Sequence, residues 1–568
     1  MWFIERMEAM ADPFVYKPLF PVRKEDLTSY IKIAEPADVG IVTESALGVN
    51  IVKVSQQAIE QLVARCFYDM SHLFRRDHLE GWAGILQDPQ ASDNDRYVAT
   101  QLLRNAVIAS QRLFPSCQDT GTAIILAWKG EQVWVERTKG EAGKENRDVQ
   151  KEAISAGVYA TYTSKNLRYS QMLPLSMYKE VNSGSNLPAQ IEISAVPGDS
   201  YRFLCIAKGG GSANKSFLYQ KTRALLNKEN MNAFLRESLL SLGTAACPPY
   251  HLAVVVGGLS SEQNLHVLKL ATCRYYDYLP TEGNVYGQAF RDTELEEDIV
   301  KIAQDIGIGA QFGGKYFIQS VRVIRLPRHA ASLVVGMGVS CSADRQILGK
   351  ITSEGVFVEQ LESDPSKYLP QNSGSQRSSH DQGLSSDIDI DLSDSMENTL
   401  ATLSSYEVGR RVMLHGPMVV ARDAAHARLL ENHRCSGKIP EYFKRYPVYY
   451  AGPAKTPPGY ASGSFGPTTS QRMDSYVPIF QKAGASMVML GKGNRSRSVV
   501  QSCAEHGGFY LGSIGGPAAI LGKHCIKKVE VLDFEDLGME AVWKIEVKNF
   551  PAFIITDDKG HDFFLKTR

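Results

Sequence analysis

No apolar run in this sequence approaches the ~18 to 20 residues needed to cross a bilayer; the longest, 252–259 and 333–339, are short and contain glycine. No membrane partner is expected. The opening Met1-Trp2-Phe3-Ile4 is broken at once by Glu5 and Arg6, whereas a secretory leader needs about 7 to 15 apolar residues after a basic stretch. Export is not expected either. Neither sign of charge predominates: 62 Lys and Arg face 62 Asp and Glu, so no net field draws the chain to nucleic acid or an anionic surface. Cysteine is sparse and odd in number, nine in 568 residues, with no C-x2-C run. That suits reduced thiols in a cytoplasmic setting better than a disulfide framework, and leaves iron–sulfur chemistry open.

What is present is length and apolar content. With 568 residues, 43% of them hydrophobic, the chain exceeds one ordinary core, and two or more domains are expected. Residues 56–76 carry Ile59, Leu62, Val63, Cys66, Phe67, Met70 and Leu73 at the spacing of one helical face. A second helix is expected from about 95 to 112, ending before Pro115. β-rich runs at 122–128 and 132–135 flank Lys129-Gly130-Glu131 and predict a hairpin. Leu252 to Val256 followed by Gly257-Gly258 predicts strand, tight turn and helix, and the same unit recurs at 418–432 and 486–493.

From about 373 the composition changes to Ser-Gly-Ser-Gln-Arg-Ser-Ser-His and then Ser-Asp-Ile-Asp-Ile-Asp-Leu-Ser-Asp-Ser, without Phe, Tyr or Trp. This predicts a flexible acidic, Ser-rich linker over 371–397. The expected architecture is therefore α/β (mixed α+β): a larger N-terminal unit, 1–370, and a smaller C-terminal unit, 398–568, whose strand ends carry functional groups.

Three cysteines share a setting of small, polar and turn-forming residues: Cys117 in Pro-Ser-Cys-Gln-Asp-Thr-Gly, Cys247 in Ala-Ala-Cys-Pro-Pro, and Cys341 in Val-Ser-Cys-Ser-Ala-Asp. Loops present thiolate ligands this way, although buried structural thiols have the same look. Lys208 to Ser216 resembles a phosphate loop, but Asn214 stands where glycine must precede the lysine, so a nucleotide is not expected while a carboxylate remains open. Arg422 and Arg472 lie beside glycine-rich stretches and can fork onto carboxylates; Lys492 follows a strand, and His329 closes Leu-Pro-Arg-His.

Longer runs carry a family resemblance. Cys117-Gln118-Asp119-Thr120-Gly121-Thr122, Lys208 to Lys215, Gly309-Ala310-Gln311-Phe312-Gly313-Gly314-Lys315, Arg325 to His329, Gly466-Pro467-Thr468-Thr469 and Gly507 to Pro517 together resemble class I fumarate hydratases, from about Phe20 to the end of the chain. The resemblance implies a homodimer of two-domain subunits acting in the tricarboxylic acid cycle. It also implies a [4Fe-4S] cluster on Cys117, Cys247 and Cys341 with its fourth iron open to substrate. Fumarate and malate would be the substrates, in contact with Gln118, Asp119, Arg168, Gly211, His329, Arg422, Thr468, Arg472 and Lys492. Thr468 would be the base, adjusted by Asp119 or nearby cations. A related diacid such as tartrate or mesaconate is the alternative, and an iron–sulfur sensor the rival of another class. The acidic, Ser-rich stretch is not part of the family pattern.

Overall fold

The structure is a computed structural model that describes residues 16–566 except 24, 47, 137–146 and 371–387. Its N-terminal unit is built in layers around two sheets. The first sheet has six strands in the order Tyr30–Ala34, Gly355–Glu359, Gln346–Thr352, Tyr201–Lys208, Thr122–Gly130 and Gln190–Val196. The second has five, ordered Ser216–Lys221, Leu333–Ser340, Tyr250–Gly258, Ile318–Arg328 and Phe290–Arg291.

Alternation along the strands decides what each face covers. Ala123, Ile125 and Ala127 point into one core with the helices Gln56–His72 and Val149–Ser164. Ile124 and Leu126, one register away, join Ala253 and Val255 of the second sheet across the helix Ser261–Thr272. On the far side, Leu252, Val254 and Val256 meet the helices Lys228–Leu242 and Thr293–Ile306. Strands buried on both faces read as unbroken apolar runs, which is why Leu252 to Val256 was legible.

The helix Gln56–His72 begins where Ser55 accepts from the Ala58 amide at 3.1 Å, and every apolar residue of its predicted face is buried. The helix Asp93–Ser110 opens on a capping box between Ser92 and Asp95. Asp95 also accepts from the amides of Ala310 and Lys315, at 2.7 and 3.0 Å. A Cβ on Gly314 would fall on that carboxylate. The Gly309 to Lys315 run thus fastens the helix that leads to Cys117.

In the C-terminal unit, the strands Ile388–Asp391, Arg411–Val420, Val448–Tyr449, Val488–Gly491 and Phe509–Ser513 run parallel. The long strand Val542–Thr556 pairs antiparallel with both Phe509–Ser513 and Arg411–Val420, so the sheet curls back on itself. Helices Asp423–Ser436 and Arg497–His506 follow the strands that sequence periodicity picked out. The two units share a core: Trp82, Val98 and Leu102 of the N-terminal helices pack with Val419, Tyr450 and Met489, and Phe312 stacks on Phe553 at 3.9 Å.

Two expectations change. The strand Val133–Val135 does not pair with Thr122–Gly130 as a hairpin; it lies parallel to Val49–Val54 in a separate three-stranded sheet. The linker expected over 371–397 falls outside the described residues up to 387, but 388–397 is ordered. Ile388, Ile390 and Leu392 alternate with aspartates and turn into the C-terminal core, and the helix Met396–Ser404 follows. Period-two alternation outweighs acidic composition there.

Candidate active site

Each of the three cysteines leaves a regular element at a turn. Cys117 lies between the helix Asp93–Ser110 and the strand Thr122–Gly130. Cys247 lies between the helix Lys228–Leu242 and the strand Tyr250–Gly258, and Cys341 directly follows the strand Leu333–Ser340. Two of these loops are tied together, since the Ser342 amide donates to the Cys247 carbonyl at 3.0 Å. Cys247 itself has φ 64°, a left-handed conformation that non-glycine residues rarely adopt, and it is buried. A Cβ on Gly515 would fall on the Cys247 sulfur, so that glycine leaves room for the thiol.

The thiols sense one another and a ring of cations. Burial pushes the Cys247 thiol up to about 11 even though Lys492 opposes it, and burial likewise raises Cys117 against the pull of Arg345. Lys492 Nζ donates to Cys247 Sγ at 3.0 Å. Burial alone would lower the Lys492 ammonium; Cys247, Cys117 and Cys341 outweigh it and raise it. Metal binding at such thiols displaces their protons, and the neighbouring cations offset the thiolate charge.

The donor set suits a polynuclear iron–sulfur group. Among the described residues, the one set of three potential ligand atoms all within 4.8 Å of one another is His78, His251 and Asp344. The three cysteines do not form such a set, and thiolates that each hold a separate iron need not.

Beside the cysteines lies a cavity of about 330 Å³ where the two units meet. The N-terminal unit supplies Gln118, Asp119, Arg168 and Gly211; the C-terminal unit supplies Arg422, Thr468, Arg472 and Lys492. Gln118 links the halves: it accepts from the Cys117 thiol at 3.4 Å and donates to the Pro467 carbonyl at 3.1 Å. A side chain on Gly466 would overlap Gln118, which accounts for a glycine before Pro467-Thr468.

Charge in the cavity is mainly guanidinium. Burial lowers Arg422 to about 10 despite Glu540 at 2.6 Å, and Arg168 and Arg472 lower it further. Clustered cations of this kind gain by taking up a dianion. Asp119 pairs with Arg168 at 3.2 Å and accepts from the Gly210 amide at 2.8 Å. Burial would raise its carboxyl, but Arg168, Arg345 and the Gly210 amide hold it at about 2. Arg472 donates to Thr468 Oγ1 at 2.7 Å and pairs with Asp423 at 2.9 Å.

Two comparisons with known proteins bear on this cavity. The sequence profile of the family described as "Fumarate hydratase (Fumerase)" matches residues 60–350, and that of "Fumarase C-terminus" matches 355–567. This chain belongs to the fumarase family. It is 54% identical over 552 residues to "Fumarate hydratase class I, aerobic" of Escherichia coli, covering 97% of each chain. It is 54% identical to "Fumarate hydratase 2" of Leishmania major, over 97% of this chain and 94% of that one. "Fumarate hydratase 1, mitochondrial", also of Leishmania major, is 51% identical over 99% of both. Class I members of the fumarase family typically carry an iron–sulfur cluster.

Of the residues that the fumarase resemblance pointed to, Gln118, Asp119, Arg168, Gly211, Arg422, Thr468, Arg472 and Lys492 line the cavity, the three cysteines lie behind Gln118 and Lys492, and His329 does neither. That residue is exposed, in the turn between the strands Ile318–Arg328 and Leu333–Ser340. The glycine run also differs from expectation: Gly210–Ala213 is one helical turn, and the Gly210 amide serves Asp119 rather than standing open. Lys208 and Lys215 turn to the Val339 carbonyl and the Phe217 ring.

Sequence reasoning missed Arg345, Ser170 and Glu540. Arg345 is buried, donates to the Asp119 carbonyl at 2.6 Å and faces Cys117 and Cys341 electrostatically. Its position four residues after Cys341 was the available signal. Ser170 donates to Asp119 at 3.3 Å from the segment that presents Arg168. Nothing in the sequence marks Glu540, which reaches Arg422 from a distant turn.

Proposed function

We propose that this protein is a class I fumarate hydratase, interconverting fumarate and (S)-malate in the tricarboxylic acid cycle, with a [4Fe-4S] cluster on Cys117, Cys247 and Cys341. The observation that carries the reading is the cavity, lined by Arg168, Arg422 and Arg472, whose other lining residues Gln118 and Lys492 bond directly to the Cys117 and Cys247 thiols. Held by Cys117, Cys247 and Cys341, the cluster would supply Lewis acidity that helps the substrate hydroxyl depart.

The chain's own residues supply the rest. Arg168, Arg422 and Arg472 hold the two carboxylates and stabilise the charge that accumulates as a carbon-bound proton leaves malate. Asp119, fixed in its ionised form, keeps Arg168 in place and does not exchange protons near neutral pH. Thr468 takes the proton. A free hydroxyl is a feeble base, and the Arg472 guanidinium on its oxygen favours the alkoxide form that makes it competent.

The same reading includes a homodimer. His329 is assigned to the substrate by resemblance yet sits outside its own chain's cavity, so a second copy would have to present it. Leu259, Val285 and Tyr286, each more than half exposed, are carried by segments that adjoin the same turn through Gly258 opposite Arg328 and Gly287 beside Pro327. A reducing, cytoplasmic compartment is supported by the nine cysteines, all free thiols. The experiment that tests the reading is anaerobic purification with iron and sulfide analysis, then fumarate hydration assayed for the wild type and for a Cys341→Ser variant. An iron-free wild type with full activity would refute it.

A further inference from the structure

Behind the Cys341 loop, away from the substrate cavity, lies a buried chain of hydrogen bonds that the proposed reaction does not use. Ser320 Oγ and His251 Nδ1 are 2.6 Å apart, His251 Nε2 and His78 Nδ1 are 2.8 Å apart, and His78 Nε2 is 3.1 Å from the Ser342 carbonyl. Both imidazoles are buried. Burial pushes both downward, so they are neutral at physiological pH.

The direction of the chain then follows from its end. A carbonyl only accepts, so His78 Nε2 carries the proton and its Nδ1 accepts. His251 Nε2 must donate to it, and His251 Nδ1 accepts from the Ser320 hydroxyl. One tautomer of each ring satisfies every bond, and the chain ends on the residue after Cys341. Ser342 in turn donates its amide to the Cys247 carbonyl. The far wall is equally fixed: Asp344 takes Arg274 at 2.9 Å, the Ser340 hydroxyl at 2.5 Å and the Gln346 amide at 2.7 Å.

His78, His251 and Asp344 also have the spacing of a mononuclear metal site. The direct ring-to-ring bond and the Arg274 guanidinium on Asp344 oppose that use, since a cation would have to break the first and face the second. The same atoms make a scaffold instead. His78 rises from the helix Arg76–Gln87 and packs edge-on against Trp82 with ring centroids 4.3 Å apart, which restricts its imidazole.

We propose that His78 is a positioning residue for the cluster: held in one tautomer by His251, it fixes the Ser342 carbonyl and thereby the Cys341 turn against the Cys247 loop. The proposal rests on the reading that the three cysteines hold a cluster. Ligand-orienting groups of this kind change metal retention by about 10- to 100-fold when removed.

The test uses the full-length protein, loaded anaerobically, with iron release to a ferrous chelator as one readout and the electron paramagnetic resonance spectrum of the oxidised cluster as the other. His78→Leu fills the space without a donor, whereas His78→Gln keeps an N–H near the same place. Release about 10-fold faster in His78→Leu with an altered spectrum, and within about 3-fold of wild type in His78→Gln, is the expected result. Should His78→Leu not fold, His251→Leu, which leaves His78 without its partner, is expected to speed release while His78 remains. A loaded His78→Leu or His251→Leu protein indistinguishable from wild type in rate and spectrum overturns the proposal, as does a His78→Gln protein no better than His78→Leu. A wild type that takes up neither iron nor sulfide instead overturns the cluster reading on which it rests.

Discussion

Arg472 Nη2 donates to the hydroxyl of Thr468 at 2.7 Å, one helical turn away on the loop that follows Gly466-Pro467. A cation on the oxygen of the proposed base would favour its reactive form, and would tie base strength to the group proposed to meet a substrate carboxylate. Thr468→Ala is expected to lower kcat by about 10²- to 10⁴-fold while leaving iron content unchanged. Thr468→Ser, which keeps the hydroxyl, should retain most of the rate. Steady-state kinetics beside iron analysis reads both, and near-normal turnover in Thr468→Ala would remove Thr468 from the mechanism.

Gly515 tests the link between packing and cluster retention. A methyl group there would land on Cys247 Sγ. Gly515→Ala should therefore lose cluster iron under conditions in which the wild type keeps it. Overpacking itself costs about 1 to 3 kcal/mol, so urea denaturation should still show a folded protein. Full iron occupancy in that variant would mean the Cys247 loop has slack that the structure does not show.

Asp119 gives a prediction in pH. Its carboxyl is held at about 2, below the ordinary aspartate value of about 3.9. A depressed acid contributes stability above its unfolded value and loses it as the pH falls through the folded one. In cluster-free protein, the stability gap between wild type and Asp119→Asn should be full above about pH 4 and close towards about pH 2. Denaturation midpoints across that range measure it, and a gap independent of pH would deny Asp119 its ion pair with Arg168.

His329 and Thr468 offer a complementation test of the dimer. If one subunit's His329 serves its partner's cavity, co-expressing His329→Ala with Thr468→Ala chains gives mixed dimers with one intact site. Activity well above that of either variant alone is expected. Additive traces of activity would return His329 to a structural role within its own chain.

Much of the fold could be read because burial on both faces leaves a plain signature. Leu252 to Val256, and the strand ends before Arg422 and Lys492, were found for that reason. The misread places are those where composition and pairing diverge. Ile388-Asp389-Ile390-Asp391 looked like acidic linker but is a strand, and Val133–Val135 found a partner about 80 residues upstream instead of its neighbour. At the site, the cysteines were ambiguous alone, because a loop thiol and a buried thiol share the same short sequence context. Arg345 stayed hidden because an arginine is mostly a surface residue, and only the folded chain brings it beneath Asp119.

The most direct measurement of the central claim is iron and sulfide content followed through brief exposure of anaerobically purified protein to air, with fumarate hydration assayed on the same samples. Four iron and four sulfide per chain are expected for one cubane, with activity falling in step as they are lost. Activity that persists after the iron has gone would contradict the account.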